Sequence, residues 1–96
     1  MTTRKGYGDR MAATLKEWSA QIADLQAKAR SAGGEQRARI GRQVAALQRQ
    51  RTEYAEQMKK TRDTGEAVFR DTRQDAERIA AEFRKTYVQA ASRFAP

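Results

Sequence analysis

The sequence predicts an all-α protein, a long antiparallel helical hairpin or coiled coil within an oligomeric helical bundle. Its apolar residues recur in alternating steps of four and three, which keeps them on one narrow helical stripe that must pack against another helix. The stripe begins with Met11, Leu15, Trp18, Ile22, Leu25, Ala29 and Ala32. The single proline is the last residue, and Ala, Gln, Glu, Lys and Arg are abundant, so helix is favoured almost throughout.

The N-terminal segment contains two glycines, Gly6 and Gly8, which weaken helix formation. Residues 1–8 are therefore predicted to form a flexible tail, with the Tyr7 side chain exposed ahead of the first helix. The Asp9 carboxylate can accept hydrogen bonds from the free amides of a first helical turn. The first helix is expected to begin there.

Two adjacent glycines, Gly33 and Gly34, lie within the apolar stripe. A glycine pair inside a helix costs up to about 2 kcal/mol relative to alanine, and glycine often ends helices, which favours a turn. The stripe nevertheless continues through the pair in helical steps of three and four, over Ala29, Ala32, Gln36, Ile40, Val44 and Leu47. We therefore predict one continuous helix over residues 9–62, with a turn at the glycine pair as the alternative.

A second interruption, at residues 63–65, is stronger because the apolar stripe shifts phase by four residues there. The Thr64 hydroxyl can cap a new helix, and Glu66 places negative charge near the positive end of its dipole. The pattern predicts a turn at this point and a second helix over residues 66–94. Residues 9–96 then form a single coiled-coil domain.

The two predicted helices differ in length, so the shorter cannot cover the longer. At 1.5 Å per residue the first helix is about 80 Å long and the second about 45 Å. The uncovered apolar side chains must meet another copy of the chain, and an antiparallel dimer is favoured. The predicted oligomer seam consists of Met11, Leu15, Trp18, Ile22 and Leu25. If the chain turns at the glycine pair instead, three helices of similar length form a monomeric three-helix bundle.

Positive charge is concentrated in the middle of the chain. The net charge is +8, and residues 28–62 alone carry ten Lys and Arg against three acids. On a helix these cations occupy the wide face opposite the apolar stripe, where they can neutralise the phosphates of nucleic acid or of another polyanion. The candidate contact residues are Arg37, Arg42 and Arg49. The alternative interpretation is a solvated coiled-coil exterior.

The composition argues against catalysis. The chain has no cysteine and no histidine, which removes the thiolate nucleophile, the usual general base and the commonest zinc ligands. We expect a non-enzymatic protein with no metal, no cofactor and no small-molecule substrate. The chain also lacks a run of about 20 apolar residues and a signal-peptide core, which predicts a cytoplasmic protein without a transmembrane segment.

Four segments of the chain resemble a known family. They are the run from Leu15 to Ala29, which includes Trp18, and residues 47–51, 64–67 and 90–94. They are similar to small bacterial coiled-coil proteins labelled as stress-response proteins of unknown molecular function. The resemblance spans most of the chain, and it implies a helix through the glycine pair and a helix break near residue 64.

These observations lead to two functional hypotheses. The first is a non-enzymatic, homo-oligomeric coiled-coil scaffold or interaction protein with a stress-related role, as the resemblance implies. The alternative is a basic protein that binds nucleic acid with low sequence specificity. Salt-dependent binding to mixed DNA and RNA separates the two hypotheses, because a scaffold has no need of phosphate contacts.

Overall fold

The chain folds as an antiparallel three-helix bundle. The computed structural model describes residues 4–63 and 66–93, which form α1 (Arg4–Arg30), α2 (Gly34–Asp63) and α3 (Glu66–Ser92). The bundle measures 49 × 19 × 17 Å. No strand occurs in the described residues, and the predicted all-α class is confirmed.

Contacts between side chains establish the direction of each helix. Later residues of α2 contact earlier residues of both α1 and α3. The α2 helix is therefore antiparallel to both neighbours, and α1 and α3 run in the same direction. The contacting pairs are Met11 with Thr61 and Ser19 with Arg51 between α1 and α2, and Thr86 with Gln50 and Arg93 with Gln43 between α3 and α2. The central helix α2 therefore packs along both of the others.

The chain turns at the glycine pair, so the prediction of one helix over residues 9–62 is wrong, and the chain forms the three helices of the alternative. Two adjacent glycines cost up to about 2 kcal/mol in a helix, whereas folding back buries several large apolar side chains that each contribute roughly 1.5–3 kcal/mol. The unbroken phase of the stripe did not exclude a turn. When the chain reverses at the turn, the part of the apolar stripe on α1 and the part on α2 face each other, so the spacing of the stripe is compatible with a turn.

The turn between α1 and α2 is short and hydrogen-bonded. The amides of Ser31 and Ala32 each donate to a carbonyl oxygen three residues earlier, at 3.1 Å. The Gly33 carbonyl oxygen accepts a 2.8 Å hydrogen bond from the amide of Arg37 and so begins α2. No described glycine has a positive φ, so the pair acts by weakening the helix rather than by supplying a left-handed conformation.

The second turn is bounded by the helices on either side of it. The α2 helix ends at Asp63, one residue beyond the predicted end, and α3 begins at Glu66 as predicted. The predicted capping residue Thr64 and its neighbour Gly65 lie outside the described residues. The α3 helix ends at Ser92, two residues before the predicted end of the second helix.

The first helix begins at Arg4, so the predicted flexible tail over residues 1–8 is wrong for the described part of that segment. The Tyr7 side chain, predicted to be exposed, is only 8% exposed. Its ring packs edge-on against Phe69 with the centroids 5.7 Å apart, and the Arg73 guanidinium lies 5.3 Å from its centroid. Burial of this ring outweighs the low helix propensity of the two glycines beside it.

The predicted oligomer seam lies inside the bundle. Its five side chains are each at most 7% exposed, because α2 and α3 of the same chain cover them; they are Met11, Leu15, Trp18, Ile22 and Leu25. Among the side chains that the structure describes, Val88 is the one large apolar side chain that is exposed, at 60%. The structure therefore corrects the seam prediction, and these residues form the core of the folded chain.

The aromatic core joins all three helices. The Trp18 ring stacks on Phe83 with the centroids 3.9 Å apart and the planes inclined by 5°, and it lies 4.6 Å from the Tyr54 ring. These three residues belong to α1, α3 and α2 respectively. Trp18 therefore links the two outer helices to each other and to the central one.

Two buried phenols should make the stability of the bundle sensitive to high pH. Burial raises the pKa of Tyr7 to about 12 and also raises the pKa of Tyr54. The folded state therefore holds these protons more tightly than the unfolded chain, whose tyrosines titrate near 10. Below pH 10 this contribution to stability is complete, and it is lost as the pH rises from 10 towards 12.

We expect the free energy of unfolding to decline over this interval, as measured by denaturant titrations at a series of pH values. In the Tyr7→Phe variant the decline should be shallower, because one of the two groups with a raised pKa is absent. An identical decline in the variant and the wild type would contradict the assignment to Tyr7.

Candidate polyanion-binding surface

Cations collect at the end of the bundle that contains the α1–α2 turn. This end comprises residues 22–49 and 87–93, which lie on the turn side of the mid-bundle contacts Ser19–Arg51 and Gln50–Thr86. It carries seven Lys and Arg against two acids, a net charge of +5, whereas the rest of the chain carries 13 against 10. More than half of the net charge of +8 therefore lies at one end.

Both acids at this end are already paired. The Asp24 carboxylate lies 3.0 Å from the Lys28 ammonium, and the Glu35 carboxylate lies 3.0 Å from the Arg39 guanidinium. Among the described residues, five exposed arginines at this end have no carboxylate partner: Arg30, Arg37, Arg42, Arg49 and Arg93. We refer to these five residues as the arginine cluster.

Hydrogen bonds position two members of the arginine cluster. The Arg37 guanidinium donates to the carbonyl oxygens of Arg30 at 3.0 Å and Ala32 at 3.4 Å, groups that the end of α1 leaves unpaired. The Arg93 Nε donates to Oε1 of Gln43 at 3.2 Å. These contacts hold the end of α1 and the residue after α3 against α2.

Two other members of the cluster, Arg42 and Arg49, lie on the outer face of α2. They are seven residues apart, which is two helical turns and about 10.5 Å of rise, so they share one face. Both are exposed, and no described residue forms an ion pair or a hydrogen bond with either guanidinium. A guanidinium with free N–H groups can bind a phosphate through two parallel hydrogen bonds.

The structure places the three predicted contact residues at the same end of the bundle but on two faces. Arg42 and Arg49 lie on the outer face of α2, whereas Arg37 lies on the side facing α1. Sequence reasoning missed Arg93, because only the return of α3 along α2 brings it to this end. No signal in the sequence marks Arg93 apart from its charge.

The predicted basic surface over residues 28–62 extends over both ends of the bundle. Its N-terminal part lies at the turn end, whereas Lys59, Lys60 and Arg62 lie at the opposite end of α2. There Arg62 shares a depression with Asp9 of α1, so the two ends differ in charge balance. The turn places Lys28 and Arg30 on α1, whereas the other cations of this segment lie along α2.

The fold and the charge distribution define the chain as a basic three-helix bundle with an arginine cluster at one end. No family model, curated protein or solved structure matches the chain. In the part of the chain that the structure describes, no helix combines the length and the apolar character needed to cross a membrane. Evidence for function therefore comes from the surface of the bundle itself.

Proposed function

We propose that this protein is a non-enzymatic nucleic-acid-binding protein whose arginine cluster contacts phosphates with low sequence specificity. The observation that carries the proposal is the gathering of five exposed arginines, without a carboxylate partner in the described residues, from three separate parts of the chain. Like charges held together on a folded surface repel one another, and a polyanion relieves that repulsion while releasing its own counterions.

Two features favour nucleic acid over an anionic membrane. The cluster consists of arginine alone, and the planar guanidinium matches the geometry of a phosphate diester better than an ammonium does. Helices that lie on membranes present a broad apolar face beside their cations, whereas Val88 is the one exposed large apolar residue among the side chains that the structure describes. Phosphate contacts carry no sequence information, which accounts for the low specificity that we propose.

The homo-oligomeric scaffold and the stress-related role that the family resemblance implies stay predictions. The physical reason for expecting an oligomer was an uncovered apolar stripe, and that stripe is buried within the folded chain. A cytoplasmic location, which gives access to nucleic acid, belongs to the proposal as well.

Binding of mixed-sequence duplex DNA, followed by fluorescence anisotropy over a range of salt concentrations, tests the proposal. Neutralising five phosphates should give a slope of log affinity against log salt of about −4.5. Replacing Arg30, Arg42 and Arg49 with glutamine should reduce the slope by about 2.7, since three contacts are lost. Glutamine is nearly as good a helix former as arginine, so the helicity should be retained.

The matched control removes the same charge from elsewhere, by replacing Lys16, Lys59 and Arg70 with glutamine. These exposed residues lie outside the arginine cluster, and the slope should stay close to the wild-type value. An equal effect of both triple variants would show that only net charge matters. Absence of binding at about 50 mM salt, or binding to anionic vesicles but not to DNA, would refute the proposal.

A further inference from the structure

Arginines of the cluster border the outer face of α2 on both sides. On one side, Arg42 and Arg49 each precede a glutamine that contacts α3 or the residue after it, so they lie towards that helix. On the other side, next to α1, Arg30 and Arg37 line one depression together with Gly41. Four of the five arginines of the cluster therefore lie beside one face of one helix.

The side chains between these arginines are small. Ala38, Gly41 and Ala45 follow one another in steps of three and four, so they share one side of the helix. We refer to these three residues as the small-residue face. All three are exposed, and a Cβ added at Gly41 would meet no atom within 4 Å. A ligand held by the arginines can therefore come close to the backbone of α2.

The same stretch of α2 contains no acidic residue. Residues 36–52 include five arginines and neither Asp nor Glu. Just before this stretch, the Glu35 carboxylate lies 3.0 Å from the Arg39 guanidinium. Over a length of about 24 Å, no carboxylate of α2 would therefore repel a phosphate backbone that follows the helix.

The dimensions and charge of this surface match the major groove of B-form DNA. That groove is about 12 Å wide, and an α-helix with its side chains is about 10–12 Å across. Small residues allow the helix to lie deep in the groove, where cations on its two sides reach the phosphates of the two strands. The major groove of A-form RNA is too narrow to admit a helix in this way.

Single-stranded nucleic acid fits the surface less well. Proteins that bind single strands stack the bases on accessible aromatic rings. Within the turn end, the structure describes one aromatic side chain, Tyr87, which is only partly exposed and packs against the core. Trp18 and Tyr54 are buried between the helices. The arginine cluster therefore has no described aromatic partner for unpaired bases.

We propose that the arginine cluster recognises double-helical B-form DNA, with the small-residue face of α2 in the major groove. The proposal rests on the proposed nucleic-acid function and specifies its ligand class. Alanine and glycine side chains carry no hydrogen-bonding groups, so this contact reads little sequence. Gln48 follows on the same side of α2, and its exposed amide adds a contact to a single base pair.

A comparison of three nucleic acids tests the ligand class. The probes are fluorescein-labelled duplex DNA of about 20 base pairs, duplex RNA of the same sequence, and one strand of the DNA alone. By fluorescence anisotropy at one salt concentration, the duplex DNA should bind at least about tenfold more tightly than either of the others. Duplex RNA carries the same number of phosphates, so charge alone predicts no preference for DNA.

Equal affinity for the three probes, or a preference for the RNA or the single strand, would overturn the proposal. Salt-dependent binding that is lost in the triple arginine variant would still support the proposed nucleic-acid function in that case. Failure of the groove inference is therefore distinguishable from failure of the proposed function.

A double variant locates the contact on α2. Ala38→Leu with Ala45→Leu enlarges the small-residue face without changing the charge, and it should weaken binding of duplex DNA at least about fivefold, because α2 can no longer lie deep in the groove. Leucine is nearly as good a helix former as alanine, so circular dichroism should show unchanged helicity.

The matched control is Ala13→Leu with Ala20→Leu, the same two substitutions at the same spacing. These positions are exposed on α1 and lie outside the turn end, so the affinity for duplex DNA should be unchanged. Both double variants keep all five arginines of the cluster. Equal affinities of the two double variants would overturn the placement of α2 in the groove.

Discussion

Replacing Phe83 with alanine should lower the free energy of unfolding by about 3–5 kcal/mol, the largest loss that we expect from a single truncation in this bundle. The Phe83 side chain is 1% exposed, and its ring stacks on Trp18 at a centroid distance of 3.9 Å. Truncation removes this stacking and leaves a cavity between helices that can close it only in part. Urea unfolding, followed by circular dichroism and by Trp18 fluorescence, measures the loss.

The control for this truncation lies on the same helix. Val88 is 60% exposed, so Val88→Ala should change the free energy of unfolding by less than about 0.5 kcal/mol. A small domain has a total stability of only about 5–15 kcal/mol, and the Phe83 variant is therefore expected to be partly unfolded at elevated temperature. Similar losses in the two variants would show that α3 does not pack against Trp18.

Spin labels attached at Ala20 and Thr52 should report a separation well below about 30 Å, since the two residues lie on adjacent antiparallel helices whose axes are about 10 Å apart. The preceding residues, Ser19 and Arg51, form a 2.7 Å hydrogen bond across this pair of helices. A continuous helix through the glycine pair would instead place the labelled residues about 48 Å apart. Pulsed electron paramagnetic resonance separates these two distances clearly.

The labelling experiment is simple in this chain because it contains no native cysteine. Dilution of the doubly labelled protein with unlabelled protein isolates the intramolecular distance. A distance near 48 Å would restore the long helix and the oligomer that it requires. A short distance that disappears on dilution would show that the contact between the two helices is made by different copies.

Local regularities of the sequence determined the helical class, the start of α3 and much of the core. The spacing of Met11, Leu15 and Trp18 marks one face of a helix whatever that face packs against, so their burial followed from sequence alone. The start of α3 at Glu66 followed in the same way, from a phase shift that no single helix can accommodate. These inferences use interactions within a few residues of the chain.

Only the tertiary structure decided which helix covers that face. Whether the chain turns at Gly33 depends on two free energies: the local cost of a glycine pair in a helix and the gain from burying apolar side chains between helices. The gain from burial involves residues far apart in the chain, so no local pattern contains it. The same limit applies to the arginine cluster. Arg93 is distant from Arg42 along the chain. The two residues lie at the same end of the bundle because α3 packs along α2, and this packing between helices cannot be read from the spacing of residues within one helix.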